Sequence, residues 1–180
     1  MSSPAGHLEF EERSSRRIVM HVHPQADFRE ILGVLEAIRL PEFVRNGENV
    51  KFAVLELLGN SLRAHRERNV ERKIRLVFIT EDGRLRVTVR DYGGGFDPDR
   101  LPYRLGDEAG DVDHTSPAFQ EYQRKHNYLR FGMGLLVAKR TFDEFRLSFF
   151  DTAEQPVDWG SGAVLGTLVS CATEGTGDGG

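Results

Sequence analysis

The chain has 180 residues, 39% of them hydrophobic and 29% charged, with a formal net charge of −4. That is enough chain for one globular domain with a real core and no need of disulfide or metal staples. The acidic balance argues against a protein whose main task is coating nucleic acid, and no apolar run is long enough to cross a bilayer.

Residues 1–16 are rich in Ser, Glu and Arg, lack the apolar centre of a signal peptide, and read as a flexible arm. Arg17 to His23 alternates apolar residues at Ile18, Met20 and Val22, the pattern of a half-buried strand. After Pro24 the spacing turns helical through Phe28, Ile31, Leu32, Leu35 and Ile38, with Asp27 as a cap and Pro41 as a stop. A second helix is expected from Asn49 to Arg66, with Val54, Leu55, Leu58 and Leu62 on one stripe.

A hairpin follows. Ile74, Leu76 and Phe78 alternate, Glu81-Asp82-Gly83 turns the chain, and Leu85, Val87 and Val89 alternate on the return. Residues 97–131 are then polar and irregular, with short helical patches; a connection this long within a domain is functional or disordered. A third helix is expected from Gly134 to Phe142, and two strands, Phe145 to Asp151 and Ala163 to Cys171, close the domain. Residues 172–180 read as a flexible tail.

Residues 17–171 thus form one α/β domain of the α+β kind. It is a two-layer sandwich in which a mixed sheet of about five strands carries its helices on one face. The lone cysteine, Cys171, cannot close an internal disulfide and is expected to be a buried structural thiol in a reducing, cytoplasmic setting.

Three short segments could carry chemistry. Glu56 and Asn60 lie four apart on the second helix, so they share a face. They are either a solvated polar pair or a carboxylate base beside an amide suited to Mg²⁺. Asp91 ends the second hairpin strand and runs into Tyr92-Gly93-Gly94-Gly95, which makes a turn or a close approach of backbone to a ligand. Phe131-Gly132-Met133-Gly134-Leu135 opens the third helix, where free N–H groups can cradle a phosphate, though the spacing is not that of a Walker loop.

In order, Glu56-x-x-x-Asn60, Asp91-x-Gly93-x-Gly95, Gly132-x-Gly134-Leu135 and Gly166-Thr167 resemble the boxes of the ATP-binding (Bergerat) fold. That fold is shared by DNA gyrase, heat-shock chaperones, histidine kinases and MutL. The pattern is most similar to the small bacterial serine kinases that act as anti-sigma factors.

The resemblance implies ATP and Mg²⁺ as cofactors. It gives Asn60 the metal and Glu56 the role of base or orienter, and it sets Asp91 on the adenine amine. Gly93 and Gly95 would shape the base pocket, Gly132, Gly134 and Leu135 would meet the phosphates, and Thr167 would support the base. Residues 97–131 become the ATP lid, with Arg130 either a phosphate contact or a solvated lid arginine. Relatives often carry a basic or His residue three or four positions after the asparagine; Arg63 can fill that role, while His65 lies one further on and has no assigned part. His21 and His23 read as ordinary strand histidines.

The arm of about 16 residues is too short for a phosphoacceptor-histidine hairpin, so an autophosphorylating sensor is not expected. The expected activity is a serine/threonine protein kinase acting as an anti-sigma-type switch on a sigma factor or a small STAS-type antagonist, as a homodimer. The alternative is an ATP-gated binding module with little turnover.

Overall fold

The computed structural model describes residues 6–106, 115–125 and 133–175. A small hairpin, β1 (Leu8–Phe10) and β2 (Arg13–Ser15), precedes β3 (Arg17–Val22). Two helices follow, α1 (Phe28–Ala37) and α2 (Gly47–Glu67), then the hairpin of β4 (Ile74–Glu81) and β5 (Arg84–Asp91). Beyond α3 (Pro117–Lys125) come α4 (Met133–Thr141), β6 (Glu144–Phe150), β7 (Pro156–Val157) and β8 (Gly166–Glu174).

Local chemistry explains the boundaries. The Asp27 carboxylate accepts the Arg29 N–H at 2.7 Å and starts α1. Asp82 and Gly83 both adopt positive φ (50° and 73°), the geometry a two-residue hairpin demands. Its register pairs Glu81 with Arg84 and Phe78 with Val87.

Among the described residues six strands form one sheet in the order β3-β4-β5-β8-β6-β7. The sheet has one more strand than the expected five because β7 is only two residues long, too short to leave a periodic signal. Every pairing is antiparallel, where a mixed sheet was expected. The chain leaves β5, crosses the helical layer through α4 and returns as β6; β8 then folds back and inserts between the two, which removes the parallel contact.

The sheet has an apolar and a polar face, and this fixes the two layers. Leu76, Phe78, Val87, Val89, Val169 and Cys171 alternate inward and are buried, whereas Arg86, Arg146 and Ser148 point outward and are exposed. Leu58 of α2 is fully buried against that face. Removing such a side chain costs about 2–5 kcal/mol.

Part of the arm expected to be flexible forms the β1–β2 hairpin. Leu8 is fully buried, and Glu9 bridges the backbone of Arg39 beyond α1. Two apolar residues, Leu8 and Phe10, in a polar stretch are too short a run to mark a strand, so the sequence hides this anchor. Within the expected lid, Tyr103 and Phe119 are buried in the core cluster, and Lys139 of α4 donates to the Leu105 carbonyl at 2.6 Å.

Candidate functional site

A cavity of about 410 Å³ opens between α2 and the end of the sheet where β5 stops. Its size is that of a small-molecule site. The floor is a continuous patch of sheet: Asp91 pairs with Thr167 across β5 and β8, and Thr167 pairs with Phe149 across β8 and β6. Asp91, Thr167, Val169 and Leu147 line this floor, and Leu57, Asn60 and Ser61 of α2 form the roof.

The helix supplies two rows of side chains toward this space. Asn60 lines the cavity, and Glu56 sits one turn earlier on the same face. The adjacent row, Leu57, Ser61 and His65, is buried and grows more polar as it nears Asp91.

Asp91 is the buried charge of the site, 8% exposed. Its Oδ2 accepts the Ser61 hydroxyl at 3.0 Å, and its Oδ1 accepts the Gly93 N–H at 2.9 Å. Burial pushes its pKa above the ordinary carboxylate value; the Gly93 N–H, the Ser61 hydroxyl, His65 and the Thr167 backbone pull the other way. The carboxylate retains acceptor capacity for a further donor.

His65 braces the loop from behind. Its Nε2 accepts the Tyr92 N–H at 2.8 Å, so the neutral ring carries its proton on Nδ1. Among the described residues Nδ1 has no well-formed hydrogen-bond partner. Burial lowers the His65 pKa, against the pull of Asp91 and of the Val70 and Arg72 backbone. On the other side of the loop the Arg72 guanidinium lies 3.6 Å over the Tyr92 ring.

The glycines are placed by close approach. Gly95 has φ +70°, a region that costs any other residue strain, and a Cβ there would come within 3.0 Å of the Phe149 and Trp159 rings. A Cβ on Gly134 would meet Asn60 Nδ2 at 3.0 Å and Glu56 Cβ at 3.1 Å. The first turn of α4 is therefore seated on the α2 turn that carries both polar residues.

The structure brings Asn60, Asp91, Gly95, Leu135 and Thr167 to one cavity, with Glu56, Gly93 and Gly134 packed immediately behind its lining. Arg130 and Gly132 lie outside the described residues. Sequence reasoning missed Ser61 and His65 as supports of Asp91, and Trp159 in the cavity wall. Leu57, Ser61 and His65 form an i, i+4, i+8 row, but spacing alone does not say that this row faces Asp91. Trp159 follows no periodic pattern.

A family model for the histidine kinase-like ATPase domain matches residues 25–155, well over half of the chain. The chain belongs to the histidine kinase-like ATPase domain family. The match runs from the start of α1 to the turn after β6, and so contains the α2 polar pair, Asp91 with its glycines, and the opening of α4. Membership suggests ATP binding for this ATPase domain. Thr167 and Trp159 lie beyond the matched segment. Comparison with curated proteins found no match. Among the described residues of the domain no helix is long and apolar enough to cross a membrane.

Proposed function

We propose that the chain is an ATP·Mg²⁺-binding serine/threonine protein kinase that works as an anti-sigma-type switch on a small protein partner. The supporting observation is the convergence of Asn60, Asp91 and Thr167 on one cavity of about 410 Å³, with the α4 N-terminal turn pressed against α2.

The residues fit the cofactors. Asp91 is an acceptor fixed by two donors, deep enough to read a base amine. Asn60 offers an amide oxygen, and Mg²⁺ takes few protein ligands when phosphate oxygens and water complete its shell. Among the described residues no cluster of three or more His, Cys, Asp or Glu is built to cage a metal by itself. When bound, the ion would neutralise charge on the phosphates. The missing Cβ at Gly134 lets the first turn of α4 approach α2 beside Asn60 and Glu56, and the N–H groups and dipole of such a turn would suit an anion. Glu56, next to Asn60 and Gly134, would orient or deprotonate an incoming hydroxyl, and phosphoryl transfer then depends chiefly on positioning.

The partner in this reading is a sigma factor or a small STAS-type antagonist, met in the cytoplasm by a homodimer. A second reading, an ATP-gated binding module with little turnover, draws on the burial of Tyr103 and Phe119 in the expected lid. Anchors of that kind suit a segment whose ordering exposes or hides a partner surface. Labelled ATP and STAS-type partners separate the two. The kinase reading expects serine labelling that is lost in Glu56→Ala; ATP binding with no transfer to any partner supports the module instead.

A further inference from the structure

Trp159 is the only tryptophan in the chain and lies in the short 3-10 turn between β7 and β8, past the family-matched residues. It is half-buried and forms part of the cavity wall. Its ring lies 5.4 Å from that of Phe149, tilted by 52°, and Phe149 meets Phe96 edge-on at 5.7 Å. Phe149 is buried, whereas Trp159 and Phe96 are both half-buried and both line the cavity; of the two, the indole is the larger face.

Strand register fixes where this aromatic wall stands. Asp91, Thr167 and Phe149 occupy one row across β5, β8 and β6, and directly paired residues project from the same face of a sheet. Two strand spacings of about 4.8 Å separate the first from the last. One end of the row is thus a carboxylate and a hydroxyl, and the other is a stack of rings. The loop after β5 packs directly on those rings at Gly95, where a Cβ would come within 3.0 Å of Phe149 and Trp159. A flat heteroaromatic ring with a polar edge matches that sequence of surfaces, whereas a phosphate chain does not.

We propose that Trp159 is a base-stacking residue of the nucleotide pocket: it takes the face of a purine whose polar edge meets Asp91 and Thr167. The assignment rests on the nucleotide reading above. An indole offers the largest π-face of any side chain, and stacking on a base is sequence-tolerant but strong.

The test uses the full chain with ATP, adenosine and inorganic tripolyphosphate as probes. ATP and adenosine change the intrinsic tryptophan emission saturably, and tripolyphosphate leaves it unchanged. By calorimetry, Trp159→Ala weakens ATP binding about ten-fold, while Trp159→Phe stays within about three-fold of wild type. Flat emission at saturating ATP, an equal response to tripolyphosphate, or wild-type ATP affinity in Trp159→Ala overturns the stacking role and leaves the nucleotide site standing. The emission result decides the matter if the alanine variant fails to fold. No calorimetric binding of ATP to the wild type overturns the nucleotide reading, and this assignment with it.

Discussion

His65 Nε2 accepts the backbone N–H of Tyr92 at 2.8 Å, so α2 grips the chain one residue past Asp91. Ser61, one turn earlier, grips the Asp91 carboxylate itself. The helix that offers Asn60 to the cavity also sets the position of the acid on its floor.

His65→Leu leaves the Tyr92 N–H buried without an acceptor and should cost about 1–3 kcal/mol. His65→Gln keeps an acceptor and should cost less. The His65 pKa is lowered by burial, so its contribution is fully present above the ordinary value of 6.5 and is lost as pH falls from there through the depressed folded value. The geometry agrees, since a protonated Nε2 would point a second N–H at Tyr92. Denaturation at several pH values should show wild-type stability falling on acidification through this window, with a shallower slope in His65→Gln. Equal slopes would contradict the bond.

Asp91 works in the opposite sense. Its pKa is raised by burial, so the folded state is favoured below the ordinary value of 3.8 and loses that advantage as pH rises through the elevated folded value. At neutral pH the fold therefore carries the burden of a buried charge. Asp91→Asn should raise the melting temperature of the ligand-free protein, because Ser61 can reverse its hydroxyl to accept. It should also weaken ATP binding about ten-fold or more, the scale of a hydrogen bond to a charged group. A variant that is less stable yet binds ATP normally would contradict both parts.

Much of this architecture could be read from the residues alone. The β4–β5 alternation, the Asp82-Gly83 turn and the α2 stripe each repeat a local pattern over several residues, so position alone identifies them. The placement of the polar pair on α2 and of Asp91 follows from helix geometry and strand-end position. Leu8, Ser61, His65 and Trp159 did not emerge because their roles depend on contacts far away in sequence. His65 contacts a strand end 27 residues on, and no property of its neighbours announces that. The wholly antiparallel sheet was hidden for the same reason: insertion of β8 between β5 and β6 is a tertiary choice, invisible to period-2 alternation.

Gly134→Ala tests the seating of α4 on α2. The added methyl would press on Asn60 Nδ2, Glu56 Cβ and the Glu56 carbonyl at 3.0–3.3 Å. Overpacking of this kind costs about 1–3 kcal/mol, reduced here by the better helix propensity of alanine. ATP affinity should fall more than the melting temperature suggests, because Asn60 is among the displaced groups. Unchanged affinity would separate α4 from the binding site.

Cys171 is 1% exposed, and burial pushes its thiol up to about 12. Thiolate is the reactive form, so a thiol reagent at neutral pH should leave the folded protein unlabelled and label it fully in denaturant. Rapid stoichiometric labelling of the native chain would contradict the packing of β8 in the core.

The central claim is that α2, the end of β5 and the start of α4 enclose one nucleotide cavity, and melting temperature with ATP, with and without Mg²⁺, tests it most directly. A ligand at about 100 times its Kd stabilises a folded protein by roughly 2.7 kcal/mol. ATP should raise the melting temperature, Mg²⁺ should enlarge the rise, and Asn60→Ala should abolish the Mg²⁺ increment alone. A melting temperature unmoved by millimolar ATP, with or without the metal, would contradict the account.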